Sequence, residues 1–318
     1  FNISWLSILL GAGNCALFYR VFRQMGIGRG IRERFWCTVL AVFGTTHCFL
    51  AAIGHSWFLG HVSGWFFLLL AIVFLTRKSK RLGLDIFLAG LCYGFSVTCR
   101  MANLPGAVFF FGYILLRHEK RSWLRLLLLF CAGAAIFGGM YMAFDYIRYG
   151  TIMDQGYNLT HLKDLHRDLY NQLQSLPASE QLAFLKECEK TVGGPLSLSS
   201  IPYNLYSIFL LPPAFSTEFP YIIPTMAGVC LSITSPALYF ALRADLKKEK
   251  LCWFILGAMV LCALPFLMNY GNGFAQFGMR YAMDFLPYTL LLAAMGLTRR
   301  ELTSWKAALI LLCVLVNL

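Results

Sequence analysis

Long apolar stretches alternate with short basic clusters along this chain of 318 residues, and the alternation predicts its elements. Apolar segments lie near 3–19, 36–53, 57–76, 84–99, 104–116, 126–144, 221–242, 251–269, 285–298 and 307–318. Most approach the roughly 20 residues that a helix needs to cross a bilayer's hydrocarbon core. The stretches 104–116 and 285–298 are short for a crossing, so tilt or partial re-entry is expected of them. The pattern therefore predicts an all-α fold, a polytopic integral membrane protein of about ten transmembrane or partly re-entrant helices with one external helical domain. It divides the chain into a first bundle over 1–144 of about six helices, an external loop domain over 145–220 and a second bundle over 221–318 of about four.

Charge orients the pattern. Twenty of the 27 Lys and Arg residues fall in five clusters, Arg20 to Arg34, Arg77 to Arg81, Arg117 to Arg125, Arg243 to Lys250 and Arg299 to Lys306. By the positive-inside rule these clusters are cytoplasmic, and each consecutive pair encloses an even number of crossings. The overall charge of +12 suggests a nucleic-acid binder, but such a protein gathers its basic residues on one polar face. Here they punctuate apolar runs, so no nucleic-acid partner is expected. Hydrophobic residues make up 58% of the chain and charged ones 13%, which excludes an ordinary soluble domain. Ten of the 11 cysteines lie in or beside apolar segments, so no disulfide framework is implied. The chain begins at Phe1 and stops at Leu318 inside an apolar run, and it reads as a fragment at both ends.

Within 145–220, Leu162, Leu165, Leu169 and Leu173 recur at helical spacing and predict one amphipathic helix. Pro177 ends it. A second helix is expected from Ser179, with Leu182, Leu185 and Cys188 on one side, stopping before Gly193. The Pro-, Tyr- and Leu-rich stretch from Ser197 to Phe219 reads as a segment lying along the membrane surface.

Candidate chemistry collects at the external ends of the spans. Arg100 ends an apolar helix on a turn too short to carry it from the hydrocarbon boundary, and a lone guanidinium there wants an anion. A lipid phosphate or diphosphate would serve, because guanidinium grips phosphate oxygens in a fork. Pairing with Asp145 or Asp284 is the alternative. Arg280 and Asp284 stand four apart and would pair with each other on a helix. Otherwise Arg280 and Tyr281 rim an external cavity and touch phosphate or sugar. Arg148 is a third cation at the outer boundary. His61 is a candidate ligand or base, and Asp145, Asp154 and Asp284 are weaker candidate acids. Gly271, Gly273 and Gly278 match no phosphate-binding loop and read as a flexible connection. His55 and His61 do not make a recognisable metal site. No metal or cofactor is predicted.

Four stretches stand out together: Phe43-Gly44-Thr45 with Gly54 and Gly60-His61; Ala89-Gly90 through Arg100 to Pro105; Phe144 to Gly150 followed by Gln155-Gly156-Tyr157; and Arg280-Tyr281 with Asp284 and Pro287. In these stretches the chain resembles the membrane-embedded GT-C glycosyltransferases, in particular the bacterial set related to protein O-mannosyltransferases and the aminoarabinose transferase of lipid A. The resemblance implies transfer of a sugar from a polyprenyl-phosphate donor to a lipid, glycan or protein acceptor on the outer face of a membrane, the bacterial inner membrane for this set. It implies membrane lipids and the lipid-linked sugar as partners. It also implies a catalytic carboxylate in the first external loop, expected upstream of residue 1, so that the catalytic base is unknown and the isolated fragment would be inactive. A transporter or flippase for an envelope lipid or glycan, with the same outward cavity and no covalent chemistry, is the alternative. An assembly subunit that uses the external domain for docking is a third reading.

Overall fold

The computed structural model describes residues 2–219 and 221–318; Phe1, where the expected first bundle begins, and Pro220, where the expected external domain ends, lie outside the described residues. The described chain is all-α apart from one small hairpin. In order, α1 is Ile3–Gln24, α2 Ile31–Phe43, α3 His47–Ile53, α4 Ser56–Leu75, α5 Leu82–Cys99, α6 Ala107–Arg117 and α7 Lys120–Tyr149. The region 145–220 holds α8 (Gly156–Leu165), α9 (Arg167–Ser175), α10 (Ala178–Val192) and α11 (Ile201–Phe209). The hairpin pairs β1 (Ala214–Phe215) with β2 (Ile222–Ile223), and α12 is Leu231–Thr234. Finally come α13 (Leu251–Met268), α14 (Leu286–Thr298) and α15 (Ser304–Asn317). Short 3₁₀ helices occupy Met101–Gly106, Leu198–Ser200, Pro236–Arg243 and Arg280–Asp284.

Five of these helices, α1, α4, α5, α7 and α13, are long and apolar enough to cross a membrane. The pair α2 and α3 makes a sixth if it is one span, bent by 57° at Gly44-Thr45-Thr46. At the bend Thr45 Oγ1 donates to the Ala41 carbonyl at 2.8 Å, the back-bonding by which Ser and Thr bend helices. The short apolar stretches foreseen at 104–116 and 285–298 are indeed short helices: α6 with its preceding 3₁₀ turn, and the 13-residue α14. At about 1.5 Å per residue, α14 covers roughly 20 Å.

The expected span over 221–242 is corrected. Its hydropathy suits a helix, but Pro224 and Pro236 interrupt it and Gly228, at φ +91°, holds a turn that an L side chain rarely adopts. The result is β2, that turn, the four-residue α12 and a 3₁₀ helix. The single helix expected through Leu162 to Leu173 is also corrected. His166 leaves helical geometry (φ −134°, ψ 57°) and splits it into α8 and α9. Leu162 and Leu173 still meet Leu185 and Cys188 in a small separate core, but Leu165 faces outward.

The charge asymmetry has a direct structural counterpart, since all five basic clusters meet at one end of the molecule. Gln24 Oε1 accepts from Thr76 Oγ1 beside Arg77, and Arg29 reaches the Arg299 carbonyl. Arg299 bonds both the Arg243 carbonyl and the Asp245 carboxylate, and Arg117 pairs with Glu249.

The closest helix pair is α5 with α7. Gly90 and Gly94 stand one turn apart on α5, and Gly133 faces them from α7. A Cβ on Gly90 would overlap the Phe130 carbonyl oxygen, one on Gly133 would overlap that of Phe87, and one on Gly94 would lie 2.6 Å from that of Ala134. Small residues at this spacing let two backbones touch where lipid offers no hydrophobic drive for association. Elsewhere α7 is exposed, with Leu124, Met140 and Ile147 among its outward side chains. Gly90→Leu is therefore expected to separate α5 from α7 and cost roughly 1–3 kcal/mol or more by overpacking. Gly138→Leu, where a Cβ meets nothing within 4 Å, is expected to be nearly neutral. Melting of the two variants in detergent compares them, and equal melting temperatures would refute the glycine seam.

Candidate functional site

At the end opposite the basic clusters, α5 stops because Arg100 adopts an extended backbone (φ −150°, ψ 103°) and Pro105 follows within a 3₁₀ turn. The turn is tied from both sides. Asn103 Nδ2 donates to Ser96 Oγ at 2.8 Å, Ser96 Oγ donates to the Gly64 carbonyl at 2.8 Å, and the Tyr93 hydroxyl lies 2.6 Å from the Leu104 carbonyl. On α4, Gly64 leaves room for the Arg100 chain, whose Cγ would sit 3.3 Å from any added Cβ. The guanidinium is thereby aimed inward, and its side chain is 15% exposed.

Its partner is Asp284. Arg100 Nε donates to Oδ1 at 3.0 Å and Nη2 to Oδ2 at 2.6 Å, the two-pronged geometry that suits guanidinium and carboxylate best. Asp284 is buried at the end of the 3₁₀ helix Arg280–Asp284, and Trp65 fixes that helix by donating from Nε1 to the Met283 carbonyl at 2.6 Å. Trp65 in turn stacks on His47, whose Nε2 lies 3.0 Å from Asn14 Nδ2. Buried His61 on α4 places Nδ1 3.4 Å from Asp284 Oδ1 without hydrogen-bond alignment.

Burial by itself would raise the Asp284 carboxyl. The Arg100 guanidinium, with His61 behind it, outweighs burial and holds the carboxyl down at about 2, below its ordinary 3.8. Asp284 is thus a counter-ion and a poor base.

Tyr281 is the hub of the outward side. The Arg100 Cζ lies 5.5 Å and the Arg280 Cζ 5.0 Å from its ring centroid, its ring stacks on Phe266, and His61 meets it edge-on. Arg280 reaches only the Tyr281 hydroxyl, at 3.4 Å, and has no carboxylate partner among the described residues. The expected Arg280–Asp284 pair does not form. On a 3₁₀ helix three residues complete a turn, so a residue four along sits about 120° around the axis rather than alongside.

Tyr157, at the start of α8, closes the rim with its hydroxyl 3.4 Å from Arg100 Nη1. The helix is held over the site by Tyr270, which donates to Asp164 Oδ2 at 2.8 Å and meets His161 edge-on. The glycine-bearing connection before Arg280 is tied rather than loose. Gln276 Nε2 donates to the Ala227 and Asn272 carbonyls while its Oε1 accepts from the Arg280 amide, and Asn272 donates to Ser207 Oγ.

The structure thus brings Arg100, Arg280, Tyr281, His61 and Asp284 into one cluster and leaves three candidates beside it. Arg148 lies over its own neighbour, Tyr149, at 4.9 Å. Asp145 is buried with Oδ2 unpartnered, within reach of the charge of Asp154. Asp154 Oδ1 accepts from the Gly156 amide at 2.7 Å, a turn that starts α8. Three contributors escaped the sequence reading. Trp65 is one apolar residue among many, and Asn14 and His47 become partners only when α1 meets the bend. Among the described residues no three His, Cys, Asp or Glu side chains converge to hold a metal.

A group whose folded pKa is depressed stabilises the protein above its ordinary pKa and loses that contribution as pH falls through the folded value. The Asp284 contribution is therefore complete above about pH 4 and fades toward pH 2. Asp284→Asn is expected to cost roughly 3–5 kcal/mol at neutral pH, by leaving the Arg100 charge buried without its partner, and to flatten the acid limb of the melting curve between pH 4 and 2. An unchanged melting temperature at pH 7 would show that the pair contributes nothing.

No family model, curated protein or solved structure matches this chain, so the reading of the site rests on its residues and their geometry.

Proposed function

We propose that the chain is an integral membrane protein whose basic-cluster end is cytoplasmic and whose α8–α11 region is external, in a bacterial inner membrane, and that it transfers a sugar from a polyprenyl-phosphate donor to a lipid, glycan or protein acceptor. The arrangement of about ten crossings belongs to the same proposal: the six candidate spans are joined by the short apolar helices α6, α14 and α15, and over 231–243 the chain returns to the basic end through α12 and a 3₁₀ segment, not through a spanning α-helix. The observation that carries the functional reading is the pair of guanidinia around Tyr281, of which Arg100 already has a carboxylate and Arg280 has none.

In such a transfer the bond between the sugar and the phosphate oxygen breaks, the acceptor oxygen takes the sugar, and charge builds on the departing polyprenyl phosphate. A fixed guanidinium at a low-dielectric boundary stabilises that charge more than water would. Arg280 is placed to do this, and Arg100, locked by Asp284, sets the field around it. Tyr157 and Tyr281 offer hydroxyls at the rim for a sugar. Because Asp284 is held ionised against Arg100, deprotonation of the acceptor falls to another carboxylate.

The test uses the intact protein in proteoliposomes with a labelled polyprenyl-phosphate sugar. Arg280→Gln is expected to lower transfer about ten- to a hundredfold, the loss of a charge-assisted hydrogen bond, with its melting temperature unchanged. Full transfer by that variant would remove Arg280 from phosphate recognition. Label that crosses the bilayer without forming a covalent product would replace the transferase by the flippase.

A further inference from the structure

At the cytoplasmic end, away from the proposed transfer site and independent of it, the structure holds a cavity of about 580 Å³ between the 3₁₀ helix Pro236–Arg243, the end of α14 and the start of α15. Four cations line it, Arg243, Arg299, Arg300 and Lys306, against one carboxylate, Glu301. The wall is close-packed, because Gly296 on α14 lies so near the Phe240 carbonyl oxygen that a Cβ there would overlap it.

Most of these charges lack a counter-ion. Arg299 is bound to Asp245 at 2.9 Å. Arg243 instead lies over the face of Phe240 at 5.2 Å, and Lys306, only 6% exposed, donates to the Leu297 carbonyl at 2.8 Å and the Glu301 carbonyl at 3.1 Å. Neither these two nor Arg300 has a carboxylate within ion-pair distance among the described residues. A nearly buried ammonium satisfied only by carbonyls carries an uncompensated charge, and an anion in the cavity would neutralise it. The 14-residue α15 adds a second attraction. Its N-cap, Thr303, makes no side-chain capping bond, so the first backbone N–H groups of the helix open onto the same place.

We propose that this cavity binds the phosphate of an anionic phospholipid in the cytoplasmic leaflet. Three unpaired cations and a helix N-terminus suit an ion with several oxygens. The mouth suits a lipid better than free phosphate, since Trp305 in its lining is 54% exposed and Leu242, next in sequence to Arg243, is 82% exposed, offering aromatic and apolar surface to glycerol and acyl chains. Basic pockets between membrane helices on this side are suited to such headgroups.

The experiment titrates the detergent-solubilised protein with phosphatidylglycerol, with phosphatidylcholine of the same chains and with inorganic phosphate, and reads bound species by native mass spectrometry. Phosphatidylglycerol is expected to bind in preference to phosphatidylcholine. The double variant Arg243→Gln/Arg300→Gln, which removes two exposed cations that hold no ion pair, is expected to weaken it roughly thirtyfold, from about tenfold or less per cation at a membrane surface. Arg121→Gln, an exposed cation of another cluster, is expected to leave it unchanged. Equal affinity for the two lipids overturns the proposal, as does an undiminished preference in the double variant or an equal loss in Arg121→Gln. Inorganic phosphate binding as tightly as phosphatidylglycerol overturns the assignment to lipid.

Discussion

A guanidinium at the edge of an apolar helix bundle has to be matched by a negative charge, and the Arg100–Asp284 pair meets that demand across 184 positions of sequence. Taking two ions out of water costs more than a single contact returns unless geometry and further hydrogen bonds are good, and here both prongs are occupied. The pair consequently fixes more than itself. It anchors the end of α5 to the start of α14, so the two halves of the apolar region are registered against each other at the end opposite the basic clusters. The Trp65 bond to the Met283 carbonyl adds a second tie within the same few residues, and the Asn14–His47 pair holds Trp65 from behind.

That arrangement separates two roles which sequence alone assigns to any arginine near a membrane surface. Arg100 is structurally committed, because displacing Asp284 would leave a buried carboxylate uncompensated. Arg280, twisted away from Asp284 by the tighter 3₁₀ winding, has no carboxylate partner among the described residues. The cavity at the basic end shows the same logic, where Arg299 is satisfied by Asp245 while Lys306 and Arg243 have no carboxylate partner among the described residues.

Features governed by one-dimensional statistics were readable from the chain. Hydropathy located α1, α4, α5, α7 and α13, and the basic clusters foretold that five separated segments would share one end. Arg100 was conspicuous because a charge at the end of an apolar run has no local explanation. What escaped depended on local backbone choice or on distant partners. The run 221–242 is as apolar as a span, yet Pro224, Gly228 and Pro236 break it. Arg280 and Asp284 look like a helical ion pair because sequence spacing does not say whether a turn takes 3.6 residues or three. Leu165 fits the periodicity of its neighbours, and only the break at His166 turns it outward. His47 and Trp65 are brought together by a bend.

Helix α7 has 30 residues, about 45 Å of rise, while the hydrocarbon core of a bilayer is about 30 Å thick. Packed through a glycine seam against α5 and exposed along most of its circumference, it stands beside the bundle as a mast. Its last turn, Asp145-Tyr146-Ile147-Arg148-Tyr149, lies beyond the apolar stretch 126–144 and leads into α8. Tyr157 follows α7 by a short connection, so its distance from Arg100 depends on where α7 stands along α5 as well as on the Tyr270–Asp164 bond. Any shift of α7 along that seam would reach the rim of the site through the connection to α8, with no change in the site's own residues.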